Sequence, residues 1–366
     1  MKITTDFPGG NIKIIEIIEI VENKENIIKL KPDFRDTNGD WFYWAFCVQG
    51  AAGQTLKFDF SPYGYIGYHG PAVSDDLKTW RWADINGNDN PYSFAYSFGE
   101  HEDRVYFAHD MLYGAERFYS FADKIKIKPE LLCVSKKGRD LPVVGFGDGK
   151  NAVLFTARHH CCESTGSYML EGILEEFYNN PVPDYEIIAV PFVDFDGVID
   201  GDQGKNRKPH DHNRDYGENS IYESVKAIKN ITLNKNKKIK YAFDLHSPWH
   251  TGGRNDKLFF VRGSEENIPE YIKLGEILAE ESGGNALKYD PADDINPGED
   301  WNVPEGGLLS FARYFSGYPG VELALTVETP YFGCKSDIIN QDKLVFTGRA
   351  FARAVKKYIK MEKNNT

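Results

Sequence analysis

Histidine, cysteine and glutamate are concentrated in the stretch ARHHCCES, residues 157–164. All three residue types bind zinc. His160 and Glu163 are three positions apart across an expected strand-to-helix turn, so both side chains can point to one spot. His246, at the end of a distant expected strand, is our choice for a third ligand. Two histidines and a carboxylate leave one zinc position open for water, which is typical of a hydrolytic site.

The remaining polar residues near these ligands have simpler interpretations. We expect His159 to be an outward-facing neighbour, and Cys161 and Cys162 to be small turn residues, one of them buried. Asp244, two residues before the third ligand, is expected to support it or to be structural. A cysteine nucleophile paired with His159 or His246 is an alternative, although it leaves the other reactive residues unexplained.

A glutamate and an arginine-rich loop complete the candidate chemistry. Glu328 follows the apolar run ALTV, so it projects from the end of an expected buried strand, where a carboxylate can act as a general base. The loop KNRKPHDHNRDY contains Arg207 and Arg214. Guanidinium groups can hold a substrate carboxylate or stabilise an oxyanion. The alternative interpretation is a strand-end salt bridge for Glu328 and a solvated basic loop for the arginines.

Four apolar segments position these residues, and all four are expected to be buried strands of a largely parallel sheet. They are NAVLFTAR (151–158), YEIIAVPFVD (185–194), KIKYAFDLH (238–246) and VELALTVET (321–329). Amphipathic helices are expected at about 164–178, 217–230, 269–282 and 341–361. Strands that alternate with helices indicate an α/β fold, in which ligands bind beyond the carboxyl ends of the strands. The reactive residues follow those ends.

The N-terminal third has a different pattern. Alternating or aromatic runs such as NIKIIEIIEI, WFYWAFCVQG and TLKFDFSPY are separated by Gly, Asp and Asn turns, which predicts a β-sandwich. We therefore expect two domains. An all-β sandwich would cover residues 1–118, and an α/β catalytic domain with a mixed, largely parallel sheet flanked by helices would cover residues 119–366.

Composition narrows the class of partner. The 366 residues carry a formal net charge of −12, which makes nucleic acid and anionic membranes poor partners. The five cysteines are odd in number and form no C-x-x-C pair, so a reducing compartment is expected. No signal-peptide core or membrane-length apolar run is visible, which favours a cytoplasmic location.

The motifs together resemble the zinc metallocarboxypeptidases, in particular the cytosolic carboxypeptidase branch with a β-sandwich before the catalytic domain. ARHHCCE is similar to that branch's A-R-x-H-x-G-E turn, DFDGV…NRK…HNRDY to its D-G-V…R…N-R-x-W/Y segment, DLHS to its D-L-H element, and LTVET to the strand with the catalytic glutamate. The chain departs from the pattern at Cys161–Cys162, where Pro-Gly or a similar pair is usual, and in the short spacing from Arg207 to Arg214.

The resemblance implies a role for each matching position. His160, Glu163 and His246 would bind one zinc ion, Glu328 would be the general base, and Arg207 would polarise the scissile carbonyl. Asn213 and Arg214 would grip the terminal carboxylate of a peptide substrate, with Tyr331 as a loose candidate for a further substrate contact. The implied activity is removal of C-terminal residues from peptides.

Substrate identity stays open at this point. The segment PEGGLLSFARYFSG (304–317) resembles the region that lines the side-chain pocket of relatives. In this interpretation Leu309 or Ser310 faces the substrate, with Arg313 nearby. Leu309 would favour an apolar side chain and Arg313 an acidic one. Alternative functions are a zinc amidase or deacylase acting on cell-wall fragments or acylated amino acids, and a non-catalytic binding module with a vestigial site.

Overall fold

Nine strands of the N-terminal region form two sheets in the computed structural model, which describes residues 1–20, 25–83, 90–231, 237–304 and 306–365. In chain order they are β1 (Lys2–Thr4), β2 (Lys13–Ile20), β3 (Glu25–Lys31), β4 (Ala45–Gln49), β5 (Thr55–Asp59), β6 (Ala72–Ser74), β7 (Arg81–Trp82), β8 (Ser93–Ser97) and β9 (Arg104–Ala108). One sheet has the order β1-β4-β9-β6-β7 and the other the order β2-β3-β5-β8.

Aromatic residues hold the two sheets together. Phe46 of β4 and Phe107 of β9 belong to one sheet, and both pack against Phe58 of β5 in the other, with ring centroids 5.1 and 5.4 Å away. Side chains alternate across a strand, so one inward-facing phenylalanine per strand is enough to build this shared layer. The predicted sandwich is confirmed. Its pairing is not purely antiparallel, because β3 and β5 run parallel.

A seven-stranded mixed sheet forms the core of the rest of the chain. Its strands are β10 (Glu130–Val134), β11 (Asp140–Phe146), β12 (Asn151–Ala157), β13 (Tyr185–Val190), β14 (Lys238–His246), β15 (Phe259–Arg262) and β16 (Leu323–Glu328), in the order β10-β11-β13-β12-β14-β16-β15. The four central strands run parallel, and the pairs at both edges are antiparallel. All four predicted buried strands are confirmed, and they are these central ones. A short hairpin of β17 (Gly333–Cys334) and β18 (Asp337–Ile338) follows.

Helices flank this sheet. They are α1 (Ala115–Lys124), α2 (Thr165–Asn179), α3 (Phe195–Asp200), α4 (Glu223–Lys229), α5 (Ile268–Glu281), α6 (Phe311–Ser316) and α7 (Gln341–Asn365). The prediction of a helix over 217–230 is too long at its start. The Asp215 carboxylate accepts hydrogen bonds from the backbone N–H groups of Ile221 and Tyr222, at 2.9 Å each, which fixes a non-helical loop before α4. Within the described ranges, no helix combines the length and apolar composition that a membrane span requires.

The expected boundary between residues 118 and 119 falls inside α1. Phe118 on this helix packs edge-on against Phe192, which follows β13, with ring centroids 5.6 Å apart. The helix therefore packs with the catalytic sheet. We propose that the domain boundary lies in residues 109–114, between the end of β9 and the start of α1.

Helices α2 and α7 approach each other closely through two glycines. A Cβ atom built on Gly172 would lie 2.0 Å from the carbonyl oxygen of Val345, and one on Gly348 would lie 1.9 Å from that of Met169. Real Cβ atoms do not come this near to a backbone oxygen. The absence of side chains at these two positions sets the distance between the helices.

We predict that Gly348→Ala destabilises the protein although alanine is the better helix former. The methyl group must push α2 away from α7, and overpacking of this kind typically costs about 1–3 kcal/mol. Urea unfolding followed by circular dichroism measures the change. Gly217→Ala is the control, because a Cβ there meets only the Gly307 carbonyl oxygen at 3.9 Å. Equal unfolding free energies for the two variants would contradict the packing argument.

Candidate functional site

The carboxyl ends of the central strands meet at one cavity of about 520 Å³. In the parallel pairing of β14 and β16, His246 is the register partner of Glu328, so their side chains emerge side by side on one face. The turn after β12 brings His160 and Glu163 to the same place, and all four residues line the cavity. The predicted convergence of the strand ends is therefore present in the structure.

Arg158 shapes the turn that carries the first two ligand candidates. It has a positive φ of 65°, which is uncommon for a residue with a side chain. Its buried guanidinium donates from Nε to the carbonyl oxygen of Cys161 at 2.7 Å and from Nη1 to that of Tyr113 at 2.9 Å. These bonds fold residues 159–163 back on themselves, so that His160 and Glu163 face the cavity.

The three predicted metal ligands lie within reach of a single ion. Glu163 is the centre: its Oε1 lies 2.9 Å from His160 Nδ1, and its Oε2 lies 2.7 Å from His246 Nδ1. One donor atom from each of the three residues lies within 4.8 Å of the others. Beside them, Glu328 Oε2 is buried without a hydrogen-bond partner in the described part of the chain. Two imidazoles and a carboxylate on an accessible cavity fit a zinc ion.

A second group of possible ligands shares His246 but lies deeper. His159 and Asp244 have no exposed surface, and neither lines the cavity. His159 is fixed on both sides, with Nδ1 2.7 Å from Asp244 Oδ1 and Nε2 2.7 Å from the Tyr216 hydroxyl. The expectation that His159 faces outward is therefore wrong. The turn directs it under the sheet edge, where Asp244 is held between His159 and His246.

Lys205 is the site residue that the sequence interpretation missed. Its Nζ lies 2.6 Å from Glu163 Oε1, and the residue is buried at the wall of the cavity. Burial alone would raise the pKa of Glu163, but Lys205 and the two histidines outweigh it and hold that pKa well below its usual range. Burial would likewise lower the pKa of Lys205, and Glu163 raises it instead. A signal was available in the sequence. The spacing from Arg207 to Arg214 is shorter than the family pattern, whereas Lys205, two positions earlier in the same loop, is a basic residue at a longer spacing from Arg214.

Arg207 does not have the surroundings expected of a group that polarises a substrate carbonyl. Its Nε, Nη1 and Nη2 each face a carboxylate, namely those of Asp36 at 2.9 Å, Asp194 at 2.6 Å and Asp202 at 3.0 Å. Three ion pairs occupy all edges of the guanidinium. The structure does not support the role that the resemblance implied for Arg207, although the residue borders the cavity.

The expected substrate residues separate into two groups. Asn213 and Arg214 line the cavity. Asn213 is oriented by the Phe311 backbone N–H, which donates to its side-chain oxygen at 3.0 Å. Tyr331 is instead completely buried, with its ring 5.5 Å from that of Phe42, and it does not line the cavity. The proposed substrate contact for Tyr331 is corrected, because the chain turns inward after β16 and places this ring in the core.

Both cysteines of the turn are buried, not one as expected. Burial raises the pKa of the Cys162 thiol to about 12 and raises the pKa of the Cys161 thiol well above its usual value. The Cys161 thiol donates to the Asp202 carbonyl oxygen at 3.0 Å. Burial disfavours the thiolate form that a nucleophile needs, and neither cysteine lines the cavity, so the structure does not support the cysteine hydrolase alternative.

Part of the segment that is expected to form the side-chain pocket borders the cavity. Ser310 and Arg313 line the cavity, together with Val261 and Thr326 of the neighbouring strands, and their contact with a substrate stays a prediction. Leu309 is 37% exposed and does not line the cavity. Residue 305 of the predicted segment lies outside the described residues.

Comparison with known proteins bears on the class of fold. Residues 3–109 match the family model of the cytosolic carboxypeptidase N-terminal domain. The chain is also similar to an uncharacterised protein of Zymomonas mobilis, with 23% identity over 350 residues that cover 90% of this chain and 88% of the relative.

Solved structures extend the similarity to the whole chain. A metallo-carboxypeptidase from Burkholderia cenocepacia matches with a TM-score of 0.79 and 18% identity over 99% of both chains. One from Pseudomonas aeruginosa, in complex with (2-guanidinoethylmercapto)succinic acid, matches with a TM-score of 0.74 and 18% identity over 98% of this chain and 99% of the other.

These similarities define the class. The whole chain has the fold of bacterial metallo-carboxypeptidases. Its N-terminal region, residues 3–109, is similar to the cytosolic carboxypeptidase N-terminal domain. The resemblance of the sequence motifs is thus confirmed for the N-terminal domain and for the fold.

We predict that the two neighbouring histidines differ in their effect on metal binding. His160→Gln removes a donor at the cavity and should abolish stoichiometric zinc binding, whereas His159→Gln should retain about one zinc per chain, because His159 lies in the closed, deeper group. Metal analysis after loading and dialysis measures both. Loss of zinc in His159→Gln with retention in His160→Gln would assign the ion to the deeper group.

Proposed function

We propose that this protein is a zinc-dependent carboxypeptidase that hydrolyses the C-terminal residue from peptides with a free terminal carboxylate. One observation carries the proposal: His160, Glu163, His246 and Glu328, drawn from three strand ends, border a single cavity that Arg214 also lines. The N-terminal domain match and the metallo-carboxypeptidase fold support the same class of enzyme.

His160, Glu163 and His246 would hold the metal. A zinc ion supplies Lewis acidity and makes water a nucleophile near neutral pH. Asp244 would keep the His246 ring in place, since its Oδ2 lies 2.6 Å from His246 Nε2. Such hydrogen bonds behind a metal ligand fix its orientation and raise its basicity.

Glu328 would move the proton. Burial raises the pKa of Glu328 to about 7, and a general base works best when its pKa lies near the operating pH. Its carboxylate would accept a proton from the attacking water and later deliver it to the leaving nitrogen. The Oε2 atom, which lacks a partner in the described part of the chain, is the one available for this transfer.

Asn213 and Arg214 would bind the substrate's terminal carboxylate. An arginine can donate two parallel hydrogen bonds to a carboxylate, which fixes both position and orientation. The ligand of the Pseudomonas aeruginosa relative is a succinic acid derivative, and a comparable carboxylate in this cavity would meet Arg214. The substrate class we propose is therefore a peptide with a free C-terminus.

We predict that Glu328→Gln keeps its zinc and loses turnover. The amide preserves shape but cannot accept the proton, so kcat should fall by about 10²–10⁴-fold. Zinc analysis and release of a C-terminal amino acid from a blocked dipeptide measure the two properties. Glu276→Gln, at an exposed position on α5, is the control and should be unaffected. Full activity of Glu328→Gln would show that another group is the base.

We also predict that blocking the substrate's C-terminus as an amide removes most of the activity. A guanidinium binds a charged carboxylate more strongly than a neutral amide, and the amide cannot accept the same pair of hydrogen bonds, so kcat/KM should fall by about 10²-fold or more. Liquid chromatography of paired free and amidated peptides tests this. Equal rates on both peptides would instead favour an amidase or deacylase that does not bind the terminal carboxylate.

A further inference from the structure

Three basic side chains of the loop between α3 and α4 border the cavity: Lys205, Arg207 and Arg214. Arg207 is surrounded by three carboxylates, and Arg214 is assigned to the substrate's terminal carboxylate. The reaction needs one more positive group, because negative charge develops on the scissile carbonyl oxygen. Lys205 is the basic residue beside the metal ligands that has no other assigned task.

The Lys205 ammonium is held at the wall of the cavity. Its Nζ lies 2.6 Å from Glu163 Oε1 and 3.4 Å from the backbone oxygen of Ser247. It also lies over two aromatic rings of the N-terminal domain, 5.2 Å from the centre of the Trp41 ring and 5.8 Å from that of Phe42. An ammonium has three N–H donors, and within the described residues these two acceptors account for two of them.

The loop around Lys205 is clamped by the N-terminal domain. The Gln203 side chain accepts from the Tyr43 N–H at 3.0 Å and donates to the Tyr43 carbonyl oxygen at 2.7 Å. The Asp36 carboxylate accepts from the backbone N–H of Gly204 at 2.8 Å. Gly204 has a φ of +76°, and a Cβ there would lie 2.4 Å from the backbone nitrogen of Cys161. Gly204 therefore packs directly against the turn that carries His160 and Glu163, and this contact fixes the backbone position of Lys205.

We propose that Lys205, and not Arg207, is the cation that stabilises the oxyanion, and that Trp41 and Phe42 of the N-terminal domain position it. This proposal rests on the proposed function. As the oxygen of water bonds to the carbonyl carbon, the C=O π pair moves to the carbonyl oxygen and the water proton passes to Glu328. When the tetrahedral centre collapses, a lone pair of the charged oxygen re-forms the C=O bond, the C–N bonding pair leaves with the nitrogen, and Glu328 delivers the proton to that nitrogen. Lys205 keeps its own proton throughout and donates a hydrogen bond to the charged oxygen.

The simpler alternative is that Lys205 only neutralises Glu163. The two roles differ in what removal of the charge does. A purely neutralising lysine would affect metal content and folding, whereas an oxyanion donor would affect kcat and the binding of transition-state mimics, with zinc still in place. Lys205→Met keeps the length of the side chain without the charge, and Lys205→Arg keeps the charge. Lys226→Met, at a partly exposed position on α4 away from the cavity, is the matched control.

The experiment compares these zinc-loaded variants by zinc content, thermal unfolding, peptide hydrolysis and calorimetric binding of a phosphonate dipeptide, which mimics the charged tetrahedral centre. For Lys205→Met we expect zinc to be retained, KM to change little and kcat to fall by about 10²–10³-fold, the usual effect of losing one oxyanion donor. Phosphonate affinity should fall by a similar factor, while affinity for a plain succinate derivative should not. Lys205→Arg should recover part of the loss.

A positioning role for Trp41 predicts a graded result. Trp41→Ala should lower kcat with little change in KM or zinc content, and Trp41→Phe, which keeps a ring, should recover much of the loss. Unchanged kcat in both would remove Trp41 from the proposal.

The proposed function and this inference can fail separately. If the unchanged zinc-loaded protein releases no C-terminal residue from any peptide, the proposed function fails. Phosphonate binding then tests separately whether the Lys205 charge contacts the tetrahedral centre. Equal phosphonate affinity with and without the lysine charge, or no binding by either protein, overturns the inference. Loss of zinc from Lys205→Met with recovery in Lys205→Arg assigns the lysine to neutralisation only, which also overturns it.

Discussion

The Glu163 carboxylate is the group on which the site depends, because it is an anion with only 1% of its surface exposed. Removing a carboxylate from water is costly unless cations and hydrogen bonds replace the water. Here His160, His246 and Lys205 all contact its two oxygens. Each comes from a different segment: the turn itself, the end of β14, and the loop after α3. Losing one partner of a buried ion pair typically costs about 3–5 kcal/mol, so these segments are bound to one another through this carboxylate.

The same constraint connects the two domains. Lys205 reaches Glu163 only because its loop is held, and the groups that hold the loop are in the N-terminal sandwich. Asp36 binds both the backbone of Gly204 and the side chain of Arg207, and Trp41 borders the lysine. Among the residues that the structure describes, the sandwich contributes no donor to the candidate metal site, yet it fixes a charge inside that site. The N-terminal domain therefore contributes to the structure of the candidate site, and the loop would lose its main supports without it.

The parts that sequence could predict are those governed by periodicity and by the geometry of parallel strands. Four apolar runs define four buried strands, and their carboxyl ends must lie on one edge, which is enough to bring His160, His246 and Glu328 together. How deeply each side chain is buried was not predictable. His159 is buried because Arg158 adopts a positive φ. Tertiary contacts such as the hydrogen bond from Arg158 to the Tyr113 carbonyl stabilise that conformation, and the residue type alone does not predict it. The carboxylates around Arg207 include one more than 150 positions earlier in the chain, which no local pattern reveals.

Lys205 and Arg207 carry the same charge but have different surroundings, and the shape of each cationic group explains the difference. A guanidinium is a planar fork whose donors point along fixed directions, and it is best satisfied when several acceptors surround it. Arg207 has that arrangement and joins Asp36, Asp194 and Asp202 into one cluster. An ammonium is a compact charge with rotatable donors, so it can lie between aromatic rings and one carboxylate and still have a donor to offer. Arg207 is thus fixed by its carboxylates in the wall of the cavity, whereas Lys205 is the cation that we propose for the reaction.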